Sequence, residues 1–201
     1  MHRARLFAQA PRRQLLWVTV QDRPTSGDLL GLRGEALQRR RENWLRLHDQ
    51  QTAGIMGLLP LVRGMAVRFT ATTDRAQQMF KHACSTLVGW EIEEVLAETV
   101  AMSTAAEVVL KFMPQRLFVQ MPKVFGEADA DPELQENVYA LKHAHRVWHV
   151  DKAGQLRMCR HGFELAPDFG GTAHGYCGST LRACVLEISL TSHIRQSGRI
   201  F

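Results

Sequence analysis

From residue 85 to residue 160 the sequence is a series of short runs rich in β-branched, aromatic and aliphatic residues, and this constrains the fold more than any other feature. Glycine, proline or a polar turn closes most of them. The pattern predicts strands at 85–92, 98–102, 106–112 and 116–121, one or two within 138–150, and another at 155–160. Strands so closely spaced predict a small barrel or a meander. An acidic loop containing Gly126 and Pro132 interrupts the series at 125–136.

Upstream the pattern changes. Residues 14–21, rich in Leu, Val and Trp, predict a strand, and Pro24, Ser26 and Gly27 mark a loop. Residues 29–51 read as a helix with Leu37, Trp44 and Leu45 near one face, Leu30 and Leu47 on its flanks, and Gly54 ending it. Residues 61–67 predict a strand bent or bulged at Gly64. Helix and strands together place the chain in the α/β class.

The net charge of +5 is unevenly placed. Ten arginines and five acids precede residue 51, whereas later basic and acidic residues cancel at 15 each. Arginine presents a planar fork suited to phosphate. Arg39, Arg40 and Arg41 therefore form either a solvated helix face or a phosphate-contacting one. No apolar run reaches the length of a membrane span. Cys84, Cys159, Cys177 and Cys184 lack paired C-x-x-C spacing, which predicts free thiols in an intracellular chain and no metal site. His143, His145 and His149 alternate so as to share one exposed strand face, and no metal is predicted there either.

The stretch ELAPDFGGTAHGYCGSTL, residues 164–181, holds four glycines among hydroxyls and one imidazole. Such a loop either brings backbone amides close to a ligand or turns tightly between strands with its hydroxyls as caps. The spacing Thr172-x-His174-x-x-x-Gly178-x-Thr180 resembles the T-x-H-K-[SA]-Q-G-x-T motif of the Pif-type, RecD-like and Helitron-type superfamily 1 DNA helicases. The family's Lys, small residue and Gln are here Gly175, Tyr176 and Cys177. Leu61, Gly64, Val67 and Phe69 are similarly in register with the family's entrance to a small barrel inserted in the second motor domain, although the Asn-Gly turn that follows there is absent. Near the end, His193 and Arg195 align with a phosphate-sensing motif.

The resemblance implies a partial RecA-like motor domain, residues 1–58 with 160–201, and a β-rich insertion at 59–159. It implies binding of single-stranded DNA, with Thr172, His174, Gly178, Thr180, Tyr176, Arg39, Arg40 and Arg41 as contact or motor-motif residues, and a nuclear location. The sequence contains no G-x-x-x-x-G-K-[ST] phosphate loop and no paired acids for magnesium. ATP and Mg are thus expected only with an N-terminal motor domain, and no cofactor or catalytic residue is assigned to this chain. Two other readings stand beside this one: a small β-rich module binding nucleic acid or protein, and a hydrolase using Cys177, His174 and Asp168.

Overall fold

The computed structural model describes residues 2–9, 13–25, 33–77, 79–94, 97, 100, 103–110, 112–122, 137–150 and 156–169. Helix α1 (His2–Gln9) opens the chain and buries Ala4 and Ala8, one turn apart, against β1 (Leu15–Thr19). Leu15, Leu16, Trp17 and Val18 are all buried, the continuous apolar run of a strand covered on both faces. After Val20 the chain continues as β2 (Gln21–Pro24). The expected helix appears as α2 (Gly34–Leu45), followed by a 3-10 turn, Asp49–Thr52, capped by His48. Trp44 is buried, and Leu37 and the flanking Leu47 pack beside it, whereas Leu45, expected on the same face, is half-buried and does not join this cluster.

β3 (Leu58–Leu61) and β4 (Met65–Phe69) correct the single bent strand expected at 61–67. Gly64 takes φ +81 and the Met65 amide donates to Val62 O at 3.1 Å, so the chain turns between them. β5 (Cys84–Glu91) forms as expected; of the strand expected at 98–102 only Val100 is among the described residues, and it is helical. Glu94, Ala97 and Val100 are helical, and the Ala97 amide donates to Glu93 O at 2.8 Å. Ala97 and Val100 are three residues apart, as neighbours on one helical face are, and Val100 reaches the core. β6 (Glu107–Leu110), β7 (Arg116–Gln120), β8 (Val138–Leu141), β9 (Ala144–His149), β10 (Arg157–Gly162) and β11 (Leu165–Pro167) complete the described strands.

These strands form sheets ordered β3-β1-β6, β2-β10-β9 and β11-β4-β5-β7-β8. None closes on itself among the described residues, so no closed barrel is seen there; β4, β5, β7 and β8 pair antiparallel in chain order, as a meander does. β1 and β6 make a parallel pair, and the other named pairings are antiparallel. β6 and β4, from residues 59–159, pair with β1 and β11 from outside them. The ends of that segment meet on one run of chain, since Leu59 pairs with Val18 and Arg160 with Asp22.

A large core gathers Leu15, Leu16, Leu61, Met65, Phe69, Leu87 and Leu117, all inaccessible. Each contributes roughly 1.5–3 kcal/mol of burial free energy. A smaller core of Trp44, Trp148, Leu156 and Met158 fastens α2 to sheet β2-β10-β9.

Candidate nucleic-acid interface

Most of α2 is solvent-facing, because Trp44 is its one buried residue among those described. Arg39 pairs with Glu35 at 2.6 Å across one turn, both largely exposed. Such a pair is worth about 0.3–0.5 kcal/mol and opens readily for a competing anion. Arg40 and Arg41 are exposed and make no ion pair among the described residues, and the same holds for Arg33 and Arg46 at the helix ends. Glu35, Ala36, Arg39, Arg40 and Asn43 line a shallow depression of about 440 Å³ on this face.

What holds that helix in place is an ion pair that sequence reading missed. Arg160 is fully buried and bidentate to Asp22, with Nε–Oδ1 at 2.8 Å and Nη2–Oδ2 at 2.7 Å. It also donates to Trp44 O at 3.0 Å, in the last turn of α2, and to Ile55 O at 3.2 Å, with its guanidinium 5.0 Å from the Trp148 ring centre. Cross-strand register puts Asp22 opposite Arg160, and register is not written in local composition.

The pleat of sheet β2-β10-β9 sorts the histidines. His161 of β10 lies opposite His145 of β9, their rings parallel and 4.1 Å apart. His143 meets His161 edge-on at 4.6 Å and Phe163 at 4.8 Å, and its Nε2 contacts Pro114 O. His149 pairs instead with Arg157 at the far end of the sheet. The one exposed strand face expected for His143, His145 and His149 thus holds for His145 and His149 only, since His143 lies half-buried ahead of β9 against Phe163 and Pro114 O, and the sequence reading missed His161. Burial, then His145, His143 and Arg23, hold the His161 pKa below its ordinary value. Among the described residues no group of three His, Cys, Asp or Glu has metal-binding geometry.

The Cys84 thiol donates to Asp168 Oδ2 at 3.2 Å, and burial and that carboxylate push its pKa up to about 11. A thiol so held is a poor nucleophile at neutral pH. In the turn before β5, His82 adopts φ +72, a left-handed backbone at a residue other than glycine. Thr172, His174, Tyr176, Cys177, Gly178, Thr180, His193 and Arg195 lie outside the described residues. No described helix is long and apolar enough to cross a membrane.

No protein-family model and no curated protein matches the chain. Among solved structures it is similar to the crystal structure of Pif1 helicase from Candida albicans, at 12% identity and a TM-score of 0.47. That match covers 90% of this chain and 35% of the helicase chain, so the sequence spans about a third of that protein's length.

Proposed function

We propose that the chain binds single-stranded DNA as a portion of the second motor domain of a Pif-type or Helitron-type helicase, with an inserted β-rich segment at residues 59–159. The observation that carries the binding is the α2 face, where Arg33, Arg40, Arg41 and Arg46 are exposed without an ion-pair partner among the described residues. The helicase assignment rests on the motif spacing at Leu61, Gly64, Val67 and Phe69 and at Thr172, His174, Gly178 and Thr180. In this reading ATP and magnesium are held with a separate N-terminal motor domain that supplies the phosphate loop, and this chain alone does not hydrolyse ATP.

A labelled oligonucleotide titrated at two salt concentrations tests the binding. Two or three phosphate contacts give a log-affinity slope of roughly −1.4 to −2.1 against log salt, with a Kd of about 10⁻⁴ to 10⁻⁶ M. Replacing Arg39, Arg40 and Arg41 with Gln flattens the slope. Absence of binding at low salt, or binding indifferent to salt, refutes the proposal. The same preparation is expected to show no ATPase activity with or without DNA.

One observation favours a second reading, a β-rich nucleic-acid-binding module without motor ancestry. Strands from both sides of the expected division share sheets and one core. An in-frame phosphate-loop coding segment upstream of Met1 decides for the helicase; its absence from the transcript decides for the module.

A further inference from the structure

Sheet β2-β10-β9 has two different sides. Its inner side carries Asp22, Met158, Arg160 and Trp148, closed over by the second core. On its outer side the register builds three rows across the strands: Gln21, His161 and His145; then Arg23, Cys159 and Val147; then Arg157 and His149. Arg23, Arg157, His145, Val147 and His149 are exposed, Val147 by 53%.

No carboxylate stands in these rows. Asp22 is turned inward and taken by Arg160, and Glu164, next to the sheet, is taken by Arg146. Among the described residues, the groups that surround His161 are cationic, neutral or apolar: Arg23 from β2, His145 from β9, His143 ahead of β9, and Phe163 after β10. Among the described residues, this face of fixed guanidiniums and stacked imidazoles has no internal counter-charge. Protonating a second ring of the stack sets like charges about 4 Å apart, which is unfavourable until an anion arrives. A phosphodiester supplies that anion at every physiological pH. Exposed His145 offers an aromatic ring to an unpaired base, and Val147 beside it an apolar contact.

We infer that the outer face of sheet β2-β10-β9 is a surface for single-stranded nucleic acid whose grip tightens as its imidazoles gain protons. The inference rests on the proposed single-strand binding and adds to it a second contact surface, on the side of the sheet away from α2, and a pH dependence. Arg23 and Arg157 hold phosphates at any pH, and His161, stacked on His145, adds charge when the strand is bound. By linkage, uptake of about one proton on binding raises affinity by up to roughly tenfold per pH unit across the range where the rings titrate.

The test is fluorescence anisotropy with a labelled 15-mer of thymidylate at fixed ionic strength, at pH 6.0 and pH 8.0. Wild type is expected to bind several-fold to tenfold more tightly at pH 6.0. His145→Gln, an exposed position that leaves the core untouched, brings that ratio towards one. Arg23→Gln with Arg157→Gln weakens binding at both pH values. The Arg39, Arg40 and Arg41 to Gln variant weakens binding while the pH ratio persists. In parallel, the His161 ring followed by NMR shows a higher pKa with the oligonucleotide than without it.

An oligonucleotide bound equally well at both pH values, with the His161 pKa unmoved, overturns this inference and leaves single-strand binding standing. A pH ratio that survives His145→Gln also overturns it. No binding at either pH overturns the proposed function and this inference together. Phosphatidylserine vesicles that bind with the His145-dependent ratio, and that the oligonucleotide fails to displace, assign the face to membranes and overturn it as well.

Discussion

Replacing Asp22 with alanine strips a fully buried guanidinium of its carboxylate. Arg160 keeps its bonds to the Trp44 and Ile55 carbonyls and its place over Trp148, but two charge-assisted bonds are lost. Breaking a buried pair from one side costs about 3–5 kcal/mol, because the remaining charge stays desolvated. For a chain of this size each kcal/mol shifts the melting temperature by roughly 2–4 °C, so the expected drop is about 6–20 °C. Glu35→Ala, which breaks the exposed Arg39 pair, is the comparison and should cost about 0.3–0.5 kcal/mol. Replacing both partners, Asp22→Leu with Arg160→Met, should recover much of the loss, since a buried pair exchanged for apolar groups is often near neutral. Thermal melts of the four proteins by circular dichroism supply the numbers. Because Arg160 grips the last turn of α2, Asp22→Ala should also lower oligonucleotide affinity at temperatures where the protein is still folded. If Asp22→Ala melts within 2 °C of wild type, or no lower than Glu35→Ala, the pair is not the anchor described.

Gly57→Ala should be severely destabilising, because its Cβ would lie 2.4 Å from Leu45 O and 2.5 Å from Leu45 Cα, backbone atoms that cannot step aside without moving α2. A melting temperature equal to wild type would refute that contact. His161 has a folded-state pKa below its unfolded value, so the unfolded chain binds more protons near that range. Its contribution to stability is therefore complete above the unfolded pKa of about 6.5 and is lost as pH falls through the folded value, and denaturant midpoints from pH 8 to pH 5 should decline less steeply in His161→Gln. With its pKa near 11, Cys84 should be about one part in a thousand thiolate at pH 8 and react slowly with a thiol reagent. Asp168→Asn, which removes the charge that helps raise that pKa, should speed the reaction, and an unchanged rate would place the cause elsewhere.

Much of the fold was legible because it is local. Apolar runs bounded by turn residues marked β1, β5, β6 and β7, and the spacing of Leu37 and Trp44 marked the buried side of α2, although Leu45, expected with them, is only half-buried. The arginine face was legible too, since nothing in residues 38–43 could serve a core. The misses have identifiable causes. Gly64 reads as a bend, yet φ +81 makes it a reversal that sends β3 and β4 into different sheets. Residues near Val100 carry strand-like composition, but a helical segment buries Val100 instead. α1 is signalled only by two small residues, and Ala4 and Ala8 matter because they let a helix approach β1 closely.

What only tertiary structure decided is everything that depends on register. Asp22 and Arg160 are 138 positions apart, and so are not paired by any local rule. His161 stacks on His145 because antiparallel pairing of β10 with β9 sets them opposite, and a shift of one residue would send each to the other face of the sheet. The pairing of β10 with β2 likewise determines that Asp22, the one acid in these strands, turns inward while Arg23 and Arg157 stay outside. Sequence determines which residues carry charge and which segments extend or coil, because those follow from side-chain chemistry over a few neighbours. Which charges share a face is decided by long-range pairing, through the alternation of the pleat.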